Sequence, residues 1–315
     1  MTTDKNYVMA IVAVFLLGLS VPLAAAQNTG LEYHEAAGIV TMTTDDIGIK
    51  ITSTSQVPHF QWWDPNDTTV DYHVMFVKLF EANDTNADGV FVLGDDHMIG
   101  PAFALPSTGW DFSGFETETD GETVIAVHFN FTATSTHDPR PGGSGGNYGN
   151  LPHMDSFDVY IQIRVHLEVQ NPGEFKFDVI IDGWNWTYEE SLLVMQFTIT
   201  ESEHEQSQGS DPPEGFHHTG THFNFSNGYM QYEPTALAAQ NTIQVRASYG
   251  EGTGSEAGES IYLAFENFGN ETLEYDPILG ITSVDEAGVP VDLLLIVGGA
   301  AVVIVVIVVA FRFRK

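Results

Sequence analysis

The chain has 315 residues, with 10 Lys plus Arg against 43 Asp plus Glu, for a formal net charge of −33. A surface this negative repels nucleic acid and anionic lipid, attracts cations, and suits solubility in a saline habitat. There is no cysteine, which excludes disulfides, thiol nucleophiles and thiolate metal sites and leaves packing, bound ions or glycans to stabilise an exported form.

Residues 1–26 read as a secretory signal peptide. Lys5 sits in a short polar start, an apolar run follows from Tyr7 to Leu23, and Ala24-Ala25-Ala26 precede the expected cut. Residues 27–285 then form an extracellular region, as one large domain or two in tandem divided near residue 150. Residues 72–80 are apolar on both faces except at His73 and Lys78, the pattern of a central strand covered on both sides.

The next segment is the sharpest motif in the chain. In Asp84-Thr85-Asn86-Ala87-Asp88-Gly89-Val90-Phe91-Val92-Leu93-Gly94-Asp95, oxygen-bearing side chains recur at alternate positions before a glycine. This stretch resembles the twelve-residue calcium loop of EF-hand and dockerin-like proteins. The resemblance implies that Asp84, Asn86 and Asp88 ligate through side chains, Val90 through its carbonyl, and Asp95 in place of the family's final Glu. The preceding segment reads as strand, so the likeness is to the loop alone. An Asp/Asn/Gly-rich turn between strands is the alternative reading.

Alternation with period two continues through Val127, Phe129 and Phe131. After a Gly/Ser/Pro-rich loop at 137–155 comes the cleanest strand. Val159, Ile161, Ile163, Val165, Leu167 and Val169 share one face, and Tyr160, Gln162, Arg164, His166 and Glu168 share the other. A turn at Asn171-Pro172-Gly173 leads to Phe175, Phe177, Val179 and Ile181, so 157–181 reads as a hairpin. Further strands are predicted around Leu193–Ile199, Ile243–Ala247 and Ile261–Phe265, with an acidic loop at 201–221. Long antiparallel strands without amphipathic helices point to an all-β fold, an antiparallel β-sandwich.

Two other groups could carry chemistry. His217, His218 and His222 lie near His204, Glu201, Glu203 and Glu205; a surface zinc or copper site is one reading, solvated loop histidines the other. Trp62, Trp63, Trp110, Trp184 and Trp186 could stack on sugar rings or fill the core. No His-Glu-x-x-His and no phosphate loop occurs, so no reaction is named by motif.

Six Asn-x-Ser/Thr sequons, at Asn66, Asn83, Asn130, Asn185, Asn224 and Asn270, all fall on the predicted outside. Residues 286–292 form a stalk. The nineteen residues 293–311 carry no charge, and as a helix they span about 28 Å, the hydrocarbon thickness of a bilayer. The basic tail at 312–315 then belongs in the cytoplasm. This plan resembles that of archaeal single-span cell-surface glycoproteins. It implies a membrane-anchored extracellular protein with a binding or structural role, calcium as its ion, and cations, glycans or other surface proteins as partners. A membrane-anchored enzyme or carbohydrate-binding protein acting on glycans is the alternative.

Overall fold

The computed structural model describes residues 31–282 apart from 53–55, 141–154, 172, 205, 207–208, 210 and 252–257. The expected signal peptide (1–26), stalk (286–292), apolar span (293–311) and basic tail (312–315) lie outside the described residues. Among those described there is no α-helix, and no helix long and apolar enough to cross a membrane.

The chain folds as antiparallel strands. The first six are β1 (Glu32–Ala36), β2 (Ile39–Thr43), β3 (Gly48–Thr52), β4 (His59–Asp64), β5 (Asp67–Asn83) and β6 (His97–Ala104). After a 3-10 turn at Leu105–Ser107 come β7 (Asp111–Phe112), β8 (Glu116–Asp120), β9 (Thr123–His137), β10 (Phe157–Glu168), β11 (Glu174–Asp182) and β12 (Leu192–Glu203). The next four are β13 (His217–Thr219), β14 (His222–Phe225), β15 (Gly228–Gln231) and β16 (Thr235–Ala238). Last come β17 (Asn241–Glu251), β18 (Glu259–Phe265), β19 (Leu273–Tyr275) and β20 (Ile278–Ile281).

The ladders form two runs. In the first, β1 to β5 pair in sequence, β12 lies on the far edge of β5, and β18 and β17 follow. In the second, β8, β9, β10 and β11 are neighbours. The outer edge of β11 is shared: β20 takes its first half and β19 its second. From β20 the run continues to β15, β14 and β13, and from β19 to β16 and β17. Strand β17 therefore joins the two runs. Strands from either side of residue 150 pair directly, β9 with β10 and β5 with β12, and feed one buried cluster.

Alternation explains which face is buried. Val159, Ile161, Ile163, Val165 and Leu167 of β10 are at most 1% exposed, while the residues between them stay partly in water. Phe175 and Phe177 of β11 meet Phe60 of β4 edge-on at 5.7 and 5.4 Å, and Phe177 meets Phe76 of β5 at 5.7 Å. Rings from both runs thus interlock. Each fully buried Phe contributes about 1.5–3 kcal/mol relative to its exposed state.

Strand β5 departs from simple alternation. Its pairing with β12 shifts between Gln196 and Phe197, so Gln196 faces Lys78 while Phe197 faces Phe76. The extra residue, Val77, is a bulge, and it returns Leu79 to the core face. Strand β12 is buried on both faces as far as Thr200, because two covering segments close over its outer side. These covers carry the residues of functional interest.

Candidate functional site

The first cover is the connection from β5 to β6. Asp84 accepts the backbone N–H of Gly89 at 2.7 Å and that of Asp88 at 3.2 Å. Asp88 in turn accepts from Val90 N–H at 2.8 Å and from the Asn86 amide at 2.9 Å. These tight bends need positive φ at Ala87 (57°) and Gly89 (77°), which glycine adopts freely and alanine at a cost of about 1–2 kcal/mol. Phe91 anchors the loop. It is 3% exposed and packs on Phe80 at 5.0 Å and Tyr262 at 5.2 Å. The Ser248 hydroxyl donates to its carbonyl. The loop thereby completes a second, smaller core with Ala82, Leu192, Val194 and Ala264.

Asp84, Asn86 and Asp88 are thus brought into one turn, with Val90 hydrogen-bonded to it. Asp95 differs from expectation: its side chain is exposed, and it joins the loop through its backbone, donating to Val92 O and accepting from the Thr85 hydroxyl. The next residue, Asp96, is 7% exposed and turns inward. Its two oxygens accept Thr85 N–H at 2.9 Å and Val92 N–H at 2.8 Å, clamping the two ends of the loop. The twelve-residue template missed it because a turn at Gly94 (φ 101°) sets the closing carboxylate one position later.

A cleft of about 440 Å³ opens beside this loop, lined by Asp84, Asp88, Glu189, Glu190, Arg246 and Glu266 among others. Its rim is held by Glu81, a buried carboxylate accepting the backbone N–H groups of Thr187 and Tyr188 at 2.9–3.0 Å and the Ser191 hydroxyl. Among the described residues, no group of three or more His, Cys, Asp or Glu is arranged to hold a metal.

The histidines singled out from sequence divide between two faces. Gly220 (φ 61°) turns the chain between β13 and β14, and the register sets His218 opposite Phe223 and Thr219 opposite His222. His218 therefore shares a face with Phe223, on which it stacks at 4.5 Å, while His217 and His222 lie on the other face. A spacing of four on one strand would have put His218 and His222 together, but the hairpin separates them. Burial lowers His218 from its ordinary pKa.

The second cover, after β12, encloses a polar cluster that motif reading did not find. Asp71 is fully buried, accepts from the Gln61 amide at 2.5 Å and pairs with His204 at 2.6 Å. Beside it, His59 Nε2 lies 3.1 Å from His73 Nδ1, and His73 Nε2 lies 2.8 Å from Ser202 Oγ. Ser202 donates onward to its neighbour's carbonyl, Glu203 O, at 3.0 Å. With the serine proton committed there, His73 donates to Ser202 and accepts from His59. That polarity is opposite to the one that activates a nucleophile, in which the imidazole accepts the hydroxyl proton. Burial and Lys50 push His59 down to about 4; burial, His59 and Lys50 push His73 down to about 3. The sequence signal for this cluster was His73 and Gln61 on otherwise apolar strands.

The tryptophans are mainly structural: Trp62, Trp110 and Trp184 are at most 4% exposed, and Trp62 donates to Gly280 O at 3.2 Å. No protein-family model and no curated protein matches the chain.

Proposed function

We propose that the chain is a membrane-anchored surface glycoprotein. Its extracellular β-sandwich serves a binding or structural role, and one calcium ion in the Asp84–Asp96 loop stabilises it. The observation that carries this reading is the placement of the sequons. Asn66, Asn83, Asn185 and Asn270 are exposed and Asn130 and Asn224 half-buried, so none is hidden in the core. A chain without cysteine that is built for the outside needs other sources of stability, and glycans and an ion supply them. The sandwich reading is supported by the interlocking of Phe60, Phe76 and Phe177 between the two strand runs. The calcium reading is supported by the gathering of Asp84, Asn86 and Asp88 in one turn.

The test is protease shaving of intact cells, followed by mass spectrometry of the released peptides. Release of glycosylated peptides spanning several of the six sequons is expected. Complete protection in whole cells overturns the topology, and peptides without glycan overturn the glycoprotein reading. Thermal melting of the full chain tests the ion. Millimolar calcium should raise the transition relative to chelator, by about 2.7 kcal/mol at a hundredfold excess over Kd. Asp88→Ala should remove that shift.

A further inference from the structure

The outer face of the second strand run carries a second histidine pair, far in sequence from the groups above. His128 on β9 and His166 on β10 are direct cross-strand partners. Their Nδ1 atoms face each other at 2.8 Å, with ring centroids 5.0 Å apart and planes at 62°. Each ring turns its other nitrogen to a carboxylate. His166 Nε2 lies 3.0 Å from Asp178 Oδ2, and His128 Nε2 lies 3.5 Å from Glu118 Oε1. Both histidine side chains are about a quarter exposed, at 23% and 26%.

We propose that His128 and His166 bind a divalent transition cation, zinc or copper(II), between their Nδ1 atoms, with water completing the coordination shell. Imidazole nitrogen suits these metals, whereas calcium takes oxygen ligands. Two nitrogens bound to one cation at about 2.05 Å, with angles of about 90–110°, stand about 2.9–3.4 Å apart. The observed pair needs to open by a few tenths of an ångström, and each ring needs to turn its Nδ1 lone pair about 35–45° off the line between the two nitrogens. The flanking carboxylates complete the argument. Metal-bound histidines characteristically donate their remaining N–H to a carboxylate, which fixes the tautomer and raises ligand basicity. Asp178 and Glu118 occupy those positions on both rings.

The protons balance. In the neutral pair Asp178 accepts the Nε2–H of His166, so His166 Nδ1 accepts from the Nδ1–H of His128. Metal binding needs both Nδ1 lone pairs. The His128 proton therefore moves to Nε2, where Glu118 accepts it, and none is released. The cations near this face are Lys176, held by Asp178 at 3.4 Å and Asp276 at 3.0 Å, and Arg164, which donates to Gln162. Glu168 adds a further negative charge on the same face of β10.

The experiment is calorimetric titration of the full chain with zinc chloride, with millimolar calcium present to occupy the acidic surface. Copper(II) electron paramagnetic resonance on the same samples reports the ligands. One site with nitrogen coordination is expected. H128Q and H166Q should each weaken it at least tenfold and remove the second-nitrogen signature. H217Q and H222Q should leave it unchanged, and D178N should weaken it less than H166Q. The proposal is overturned if the parent binds no more tightly than H128Q, which would mean the pair shares a proton only. It is equally overturned if H128Q and H166Q bind as the parent does, or if H217Q abolishes binding. Unchanged melting temperatures in the variants show that the effect is local.

Discussion

Two histidine pairs, one on the outer face of each strand run, make contacts of similar length and opposite character. His59 and His73 stack with planes 23° apart and a nitrogen separation of 3.1 Å. Residues after β12 close over them: a Cβ on Gly209 would collide with Thr200 and His73. His73 is 1% exposed and His59 is partly exposed; burial, with Lys50 nearby, pushes both rings well below the ordinary histidine range, so both are neutral. His128 and His166 lie as close, but both side chains stay about a quarter exposed and stand between Glu118 and Asp178. The contact itself therefore does not set the chemistry. The cover and the sign of the neighbouring charge do: burial and Lys50 lower the covered pair, whereas the open pair has a carboxylate at each outer nitrogen.

The largest effect should come from breaking the covered cluster at its charge. Asp71→Ala removes the acceptor of Gln61 and the partner of His204. A hydrogen bond to a buried carboxylate is worth about 1.5–3 kcal/mol and Asp71 accepts from both Gln61 and His204, so the expected loss is about 3–5 kcal/mol by chemical denaturation of the full chain. A loss under about 1 kcal/mol, the range of exposed pairs, would show that water reaches the cluster and would erase the contrast between the two faces.

Acid sharpens the same contrast. A histidine whose folded pKa lies below its unfolded value stabilises the fold fully above about pH 6.5, because only the unfolded chain gains a proton as pH falls below that. His73, lowered to about 3, should on its own lose on the order of 3 kcal/mol of stability between pH 6.5 and pH 4. The check is the pH dependence of unfolding in the parent and in His73→Gln; the variant should have a visibly shallower acid limb. Equal slopes would mean that His73 is not neutral in the folded chain. Ser202→Ala should act in the same place but less, costing about 1–3 kcal/mol at pH 7 by leaving His73 Nε2 buried without an acceptor. A neutral result would mean that the ring finds another partner.

What could be read from the sequence follows the same division between exposed and covered faces. Strand β10 was legible because one face is core and the other meets water, so its polarity alternates. Strand β12 shows the right inward residues, Leu193, Met195, Phe197 and Ile199, yet Gln196, Thr198 and Thr200 are buried too. No local pattern announces that Phe91 and the segment after β12 will cover them. Asp84, Asn86 and Asp88 were legible as one turn because the determinants are local. Asp96 was not, since the template fixed the closing residue at Asp95. The histidine pairs were invisible for a different reason. His59 and His73 are 14 positions apart and His128 and His166 are 38 apart, and only strand register brings them together.

The smallest effect is the most discriminating. His166→Gln should change stability by about 1 kcal/mol or less, because the ring is 26% exposed and water can take over its bond to Asp178. The same substitution at His73 removes a ring that is 1% exposed and bonded at both nitrogens, and should cost about 1–3 kcal/mol or more. Parallel denaturation of the two variants at neutral pH, without added metal, makes the comparison directly. A cost at His166 equal to that at His73 would make the open pair a structural tie between β9 and β10. Its Nδ1 atoms would then be held by packing and could not separate to admit a cation. A small cost leaves the pair free to reorganise, which a metal-binding pair requires and the covered pair cannot do.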